Sequence, residues 1–240
     1  MAGGKFDSHI VQSLSAQDTG KDEGDYAGFA GFSAYWQRKF GDRLGLRADY
    51  NVYADLHEAF KENDVIEQLV SVEPQLFQGD FIFSLPLQYV YGMEDDDSKY
   101  HRYSAAPTAT FKLPDSRQAV EVYGKISQIL DVDPYPSFDE DGHSIGGGMA
   151  YLISIKDRTY FRILGDYQRI YYDSRAWDYI NETSSDKRHD IAASLGTEYN
   201  FQVTRHLDLM ASYTFIHTHT NVNIYDYDKH VVQAGASIKF

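Results

Sequence analysis

The sequence predicts an all-β protein, a transmembrane antiparallel up-and-down β-barrel of about twelve strands, and three observations lead to this fold class. Apolar and polar residues alternate through extended segments of roughly ten to fourteen residues. Tight and long connections between these segments alternate along the chain. Aromatic residues are abundant, with 20 Tyr, 14 Phe and 2 Trp. We predict that residues 1–240 form a single domain of this kind.

Hydropathy excludes helical membrane spans and is compatible with a barrel. The mean hydropathy is −0.49, and the chain has no run of about 18 apolar residues, the length that a spanning helix requires. A barrel strand needs an apolar residue at every second position, so the average hydropathy of a membrane-spanning barrel stays low. The excess of Tyr over Phe suits two water–lipid boundaries, where the ring is buried and the hydroxyl stays in water.

Strand periodicity is clearest in residues 43–56. One face is apolar apart from a tyrosine hydroxyl, and the other carries all of the charge. The apolar face consists of Leu44, Leu46, Ala48, Tyr50, Val52, Ala54 and Leu56. The same period recurs along the chain and predicts strands at residues 5–14, 25–39, 43–56, 64–78, 80–92, 100–112, 118–130, 143–155, 159–172, 187–201, 206–219 and 230–240. A soluble β-sandwich also alternates, but its strands are about five or six residues long.

The connections indicate which end of the barrel is which. Tight turns are predicted at 40–43, 78–80, 113–117, 156–158 and 202–205. Longer and mostly acidic loops are predicted at 16–24, 57–63, 94–99, 131–142, 173–186 and 220–229. Outer-membrane barrels have short periplasmic turns and longer extracellular loops. The pattern therefore predicts a location in the bacterial outer membrane, in contact with its lipid and lipopolysaccharide, with both termini in the periplasm.

The last strand ends on an aromatic residue, Phe240. A terminal aromatic that closes an alternating strand resembles the signal read by the barrel assembly machinery. We therefore predict Phe240 as a barrel-assembly signal and this machinery as a partner.

Extending the alternation gives a set of charged residues that are predicted to line the lumen. Acidic residues outnumber basic ones, so a water-filled pore would favour cations. Alternatively, these groups pair across strands and partly close a narrow barrel, because unpaired buried charges are costly. The predicted residues are Arg47, Asp49, Glu67, Glu73, Glu121, Lys125, Arg162, Asp166, Asp190, Glu198, Asp208 and Lys239.

Several functional classes are disfavoured. The formal charge of −14 argues against nucleic-acid binding, and the absence of cysteine removes disulfides and thiolate metal sites. His217 and His219 share a strand face, but two imidazoles without a third ligand make a poor zinc site. We predict rim residues there, and no cofactor or metal. Asp55, His57, Asp173 and His219 could also lie at the outer rim, but their spacing does not favour catalysis, so we predict that the protein is not an enzyme.

Two stretches carry a family resemblance. Asn221–Val232 resembles the last outer loop and strand of barrel domains that follow tetratricopeptide repeats, as in the surface lipoprotein assembly modifiers, and Tyr50–His57 is similar in style to their early strands. The resemblance implies a barrel that helps to move or anchor an exported partner, fed by a periplasmic repeat domain. The chain departs from that family because it contains no 34-residue helical repeat.

Three functional hypotheses follow from the sequence. The first is a conduit or anchor in export or surface assembly. The second is a cation-leaning diffusion channel for small solutes. The third is a structural or adhesive barrel that acts through its acidic outer loops.

Overall fold

The computed structural model describes residues 2–7, 13–16, 24–57, 65–94, 98–114, 117–131, 141–156, 159–178, 183–221 and 227–239. These residues form fifteen β-strands in one sheet and no helix. The strands are β1 (Ala2–Asp7), β2 (Ser13–Ala16), β3 (Gly24–Phe40), β4 (Leu44–His57), β5 (Val65–Gln78), β6 (Phe81–Ser84), β7 (Leu87–Glu94), β8 (Ser98–Ala105), β9 (Thr108–Lys112), β10 (Gln118–Asp131), β11 (Gly142–Lys156), β12 (Thr159–Asp178), β13 (Thr183–Gln202), β14 (Leu207–Thr220) and β15 (Tyr227–Lys239).

The fifteen strands occupy twelve positions around a closed sheet. Strands β1 and β2 both lie between β15 and β3, β6 and β7 both pair with β5, and β8 and β9 both pair with β10. All pairs are antiparallel, and each of the twelve positions has a hydrogen-bonded neighbour on both sides. Closure removes the sheet edges that lipid could not satisfy. The predicted antiparallel barrel of about twelve strands is confirmed.

Two prolines divide the predicted strands 80–92 and 100–112 into two segments each. Pro86 separates β6 from β7, and Pro107 separates β8 from β9. Proline has no N–H to donate to the ladder, but both prolines accept hydrogen bonds through their carbonyl oxygens. Ala106 N–H donates to Pro86 O at 3.0 Å, and Gly124 N–H donates to Pro107 O at 3.0 Å. The interruptions insert no extra residue, so the two faces continue unchanged across them.

The predicted loop 173–186 is shorter than the sequence analysis proposed. Strand β12 continues to Asp178 and β13 begins at Thr183, and the two pair there with register shifts, as at Arg175↔Lys187 and Asp178↔Thr183. Once a hairpin extends beyond lipid, backbone hydrogen bonds hold it without an apolar face, so polar sequence does not end the strands. Parts of the predicted outer loops, at 17–23, 58–64, 95–97, 132–140, 179–182 and 222–226, lie outside the described residues.

The two faces of the wall have opposite polarity. In β5, Ile66, Val70 and Val72 point outward and are exposed, whereas Glu67 and Ser71 point inward. Among the described residues, the buried hydrophobic side chains are Val90 and Ala150, and eight Ser, Thr and Asp residues are buried with them. A soluble domain buries its apolar side chains. The exposed apolar band of this wall requires hydrocarbon around it.

Aromatic side chains collect toward both ends of the outward face. Phe81 and Phe111 pack at 4.8 Å between ring centroids near the short turns. At the other end, Tyr89 packs on Tyr103 at 5.2 Å, and Tyr171 stacks on His143 at 5.0 Å. Two aromatic girdles of this kind border the lipid-facing band of outer-membrane barrels.

The short turns lie at the same end of the barrel as the end of β15 and the part of β1 that pairs with it. Gly41 and Gly79 adopt positive φ angles of 68° and 60° in two of the tight turns, a conformation that glycine adopts without steric cost. Lys5 in β1 pairs with Lys239 at the end of β15, beside the 203–206 turn that leads into β14.

Candidate functional site

The inward face of the barrel carries the charged residues from which a functional site could be built. Cross-strand register and the hydrogen bonds below place eleven of the twelve predicted lumen residues on this face. These are Arg47, Asp49, Glu67, Glu73, Glu121, Lys125, Arg162, Asp166, Asp190, Glu198 and Asp208. The side chain of Lys239 and all of Phe240 lie outside what the structure describes.

The first cluster crosses three strands, β5, β7 and β8. Tyr100 donates its hydroxyl hydrogen to Glu67 Oε1 at 2.5 Å, and Arg102 Nη2 lies 3.0 Å from the same oxygen. The side chains pass over Gly92, which pairs with Glu67 on one side and Tyr100 on the other. A Cβ at Gly92 would lie 2.2 Å from a Tyr100 ring carbon. Glycine therefore gives the tyrosine room to reach a carboxylate two strands away.

A second cluster repeats this arrangement across β10, β11 and β12. Tyr123 donates to Asp166 Oδ2 at 2.6 Å and passes over Gly148, which pairs with both residues. A Cβ at Gly148 would lie 2.7 Å from the Tyr123 hydroxyl and 2.4 Å from the carbonyl oxygen of Gly165. At Gly148, both a backbone oxygen and the tyrosine occupy the space that a side chain would need. We call the two clusters the Glu67 bridge and the Asp166 bridge.

Further contacts join the remaining predicted residues. Arg162 in β12 reaches across β11 to Glu121 in β10, with Nη2 and Oε1 3.1 Å apart. Tyr160 donates to Glu198 Oε1 at 2.5 Å. These contacts are charge-assisted, and such hydrogen bonds are about twice as strong as neutral ones.

Two arginine–aspartate pairs lie on single strands. Arg188 contacts buried Asp190 at 2.5 and 2.9 Å, and Tyr172 donates to the same carboxylate at 3.2 Å. Arg47 contacts Asp49 at 2.7 Å, and its guanidinium carbon lies 5.6 Å from the Tyr35 ring centroid. Four inward carboxylates, those of Asp49, Glu67, Glu121 and Asp190, are thus each paired with an arginine.

Lys125 is the exception among the predicted lumen residues with described side chains. It forms no hydrogen bond or ion pair with the residues that the structure describes, and the charged groups that act on it are Arg102, Asp166 and Glu67. It therefore lies between the two bridges as a cation that is not committed to one partner. A charge in this position acts on any ion that passes through the lumen.

Sequence reasoning missed the tyrosines and two arginines of this network. Arg102 and Arg188 were not in the predicted set, and they raise its basic residues with described side chains from three to five against eight acidic ones. The predicted acidic excess is therefore smaller in the structure. Strand parity would have placed Tyr100, Tyr123 and Tyr160 inward, but tyrosine was assigned to the lipid boundary by its chemistry.

His217 and His219 lie on the outward face, and His217 Nδ1 is 2.6 Å from Asp228 Oδ1. Within the described part of the chain, no group of three or more His, Cys, Asp or Glu residues is arranged to hold a metal ion. The same described residues include no helix that is long and apolar enough to cross a membrane.

A family model described as a protein of unknown function, DUF481, matches residues 70–231. The chain belongs to the DUF481 family. No curated protein matches its sequence. The specific likeness to barrels that follow tetratricopeptide repeats stays a prediction.

Solved structures share the fold of this DUF481 barrel. The COG4313 outer membrane channel from Pseudomonas putida F1 is 12% identical, with a TM-score of 0.63 over 100% of this chain and 94% of that one. The NanC porin is 7% identical, with a TM-score of 0.53 over 97% of this chain and 99% of that one. At these identities the likeness shows the fold of a bacterial outer-membrane β-barrel.

Proposed function

We propose that this DUF481 protein is an outer-membrane channel that lets small hydrophilic solutes diffuse through its lumen, with both termini in the periplasm. The observation that carries the proposal is the inside-out polarity of the wall. Its outward face is apolar, and its inward face is lined by arginine–carboxylate pairs and by Lys125, which is paired with none of the described residues. A lumen of this kind can hydrate a passing solute, which an apolar core could not.

The fold supports the proposal as an analogy. The P. putida protein of the same fold is named an outer membrane channel, and the NanC protein is named a porin. Folds host several functions, so the inward charges carry more weight than the likeness. We further propose that the channel carries out no catalysis and that the barrel assembly machinery inserts it.

Selectivity is expected to be modest. Arg102 pairs with Glu67 and Arg188 pairs with Asp190, so these two arginines offset part of the acidic excess from which a cation preference was predicted. The Tyr123 hydroxyl donates to Asp166 but leaves the charge of that carboxylate in place. We therefore propose that the channel admits ions of both signs, and that Lys125 restrains cations.

Planar-bilayer recording tests this function. The wild-type chain, shown to be folded by its heat-modifiable mobility on gels, is expected to give steady conductance. Lys125→Gln should shift the reversal potential toward cation selectivity. A unit charge about 4 Å from an ion interacts with it by about 1 kcal/mol in water, which is about a fivefold change in local ion concentration. Lys99→Gln changes a charge on the outward face and is the matched control.

A folded barrel that stays silent in the bilayer would contradict the channel. Co-purification of a silent barrel with a periplasmic repeat protein or an exported partner would favour the conduit or anchor. Loss of cell adhesion on trimming the acidic outer loops, with the barrel still folded, would favour the adhesive alternative.

A further inference from the structure

A groove of about 1040 Å³ runs over the outward face of β5, β7, β8, β10, β11 and β12. Its floor is formed by Ala105, Ile126 and Ile145, and Tyr89 and Tyr103 form one side. Ala105 has a smaller side chain than the tyrosines beside it, so the outward surface is recessed at Ala105 relative to the edge of the groove formed by those tyrosines. The groove faces the hydrocarbon that surrounds the barrel, and it exceeds the usual volume of a small-molecule pocket, about 300–1,000 Å³.

The polarity of the groove changes along its length. Val72 and Leu87 line the part nearer the short turns and are apolar. Gln128, His143 and Tyr171 line the part nearer the long connections, and register places them side by side across β10, β11 and β12. An occupant must therefore be apolar over most of its length and polar at the end near the long connections.

Arg169 does not line the groove itself but lies beside the lining residue Tyr171 and adds a positive charge next to the polar end. It lies on the outward face, opposite Ile145 in β11 and Ile191 in β13, and its guanidinium carbon is 4.9 Å from the Tyr171 ring centroid. Its buried Nε has no hydrogen-bond partner among the described residues. None of the described lining residues is acidic. An arginine facing lipid is costly unless an anion or water reaches it.

We propose that a phosphate-bearing membrane lipid occupies this groove, with an acyl chain along Ala105, Ile126 and Ile145 and its phosphate on Arg169. His143 and Gln128 offer further hydrogen-bond donors to the phosphate oxygens. Arginine matches phosphate geometry in a bidentate manner, and the apolar floor matches the chain. The site is independent of the channel function, because it lies on the other face of the wall.

Native mass spectrometry of the purified full chain in detergent tests the site with dioleoyl phosphatidylglycerol as the probe. Arg169→Gln should weaken its binding about tenfold, and dioleoylglycerol, which lacks the phosphate, should bind wild type as weakly as phosphatidylglycerol binds the variant. Lys99→Gln removes a cation from the outward face outside the groove and should leave binding unchanged.

A second pair of variants tests the acyl chain. Ala105→Trp fills the groove floor and should lower phosphatidylglycerol binding about tenfold, whereas Ala211→Trp, outward on β14 and away from the groove, should not. All variants must keep heat-modifiable mobility. Equal losses for Arg169→Gln and Lys99→Gln, or for Ala105→Trp and Ala211→Trp, would overturn the proposal.

Discussion

The Glu67 bridge and the Asp166 bridge use the same parts but differ in what limits them. In both, a tyrosine crosses a glycine to reach a carboxylate two strands away. Glu67 also has Arg102, whereas the hydrogen bond of Asp166 among the described residues comes from Tyr123. The three atoms nearest to a Cβ at Gly92 all belong to Tyr100, whereas a Cβ at Gly148 would meet a backbone oxygen first. The Glu67 bridge is therefore held by charge and the Asp166 bridge by close packing.

The largest effect on stability is expected at Gly148, in the Asp166 bridge. Gly148→Val should lower the free energy of unfolding by about 3 kcal/mol, because overpacking adds to the lost tyrosine hydrogen bond. Urea unfolding in phosphatidylcholine vesicles measures it. Gly165→Ala is the control on the neighbouring strand, since its Cβ would meet nothing closer than 3.8 Å. Equal stability of the Gly148 variant and the control would refute a packing-limited bridge.

A smaller effect separates the two tyrosines. Tyr123→Phe should cost about 1–2 kcal/mol, because Asp166 then loses its hydrogen-bond donor. Tyr100→Phe should cost less than about 1 kcal/mol, because Arg102 stays on Glu67 at 3.0 Å. The same unfolding measurement compares them. A larger loss of unfolding free energy for Tyr100→Phe than for Tyr123→Phe would contradict the assignment of charge to the Glu67 bridge and of packing to the Asp166 bridge.

The sequence predicted the wall better than the network inside it. The two-residue period of Leu44 to Leu56 is a direct consequence of lipid on one side, and the structure reproduces that strand as β4. The period does not identify which inward residues touch. Glu67 and Tyr100 are 33 residues apart and meet because Gly92 lies between them. That contact depends on barrel register, which alternation along one strand cannot supply.

The alternation of apolar residues also did not predict how far the hairpin of β12 and β13 extends. Alternation of apolar residues reports where lipid is, so it ends at the boundary of the membrane. The strands continue to Asp178 and from Thr183 because backbone hydrogen bonds do not need lipid. The breaks at Pro86 and Pro107 insert no residue, so they leave the two-residue period unchanged, although proline itself marks them.

The smallest effect is expected from removing the carboxylate charges. Glu67→Gln should lower the free energy of unfolding by about 0.5–1 kcal/mol at low salt and by less at high salt. The reason is that the side chains of Arg102 and Glu67 are 30% and 24% exposed, so salt screens their attraction. Asp166→Asn should change stability by less than about 0.5 kcal/mol at any salt concentration, because an amide oxygen still accepts the Tyr123 hydrogen bond. Unfolding at low and high salt measures both variants. Stability that depends on salt in Asp166→Asn, and not in Glu67→Gln, would contradict this assignment. The main partner of Asp166 would then be Lys125 and not Tyr123, and Lys125 would not be the unpaired cation of the lumen.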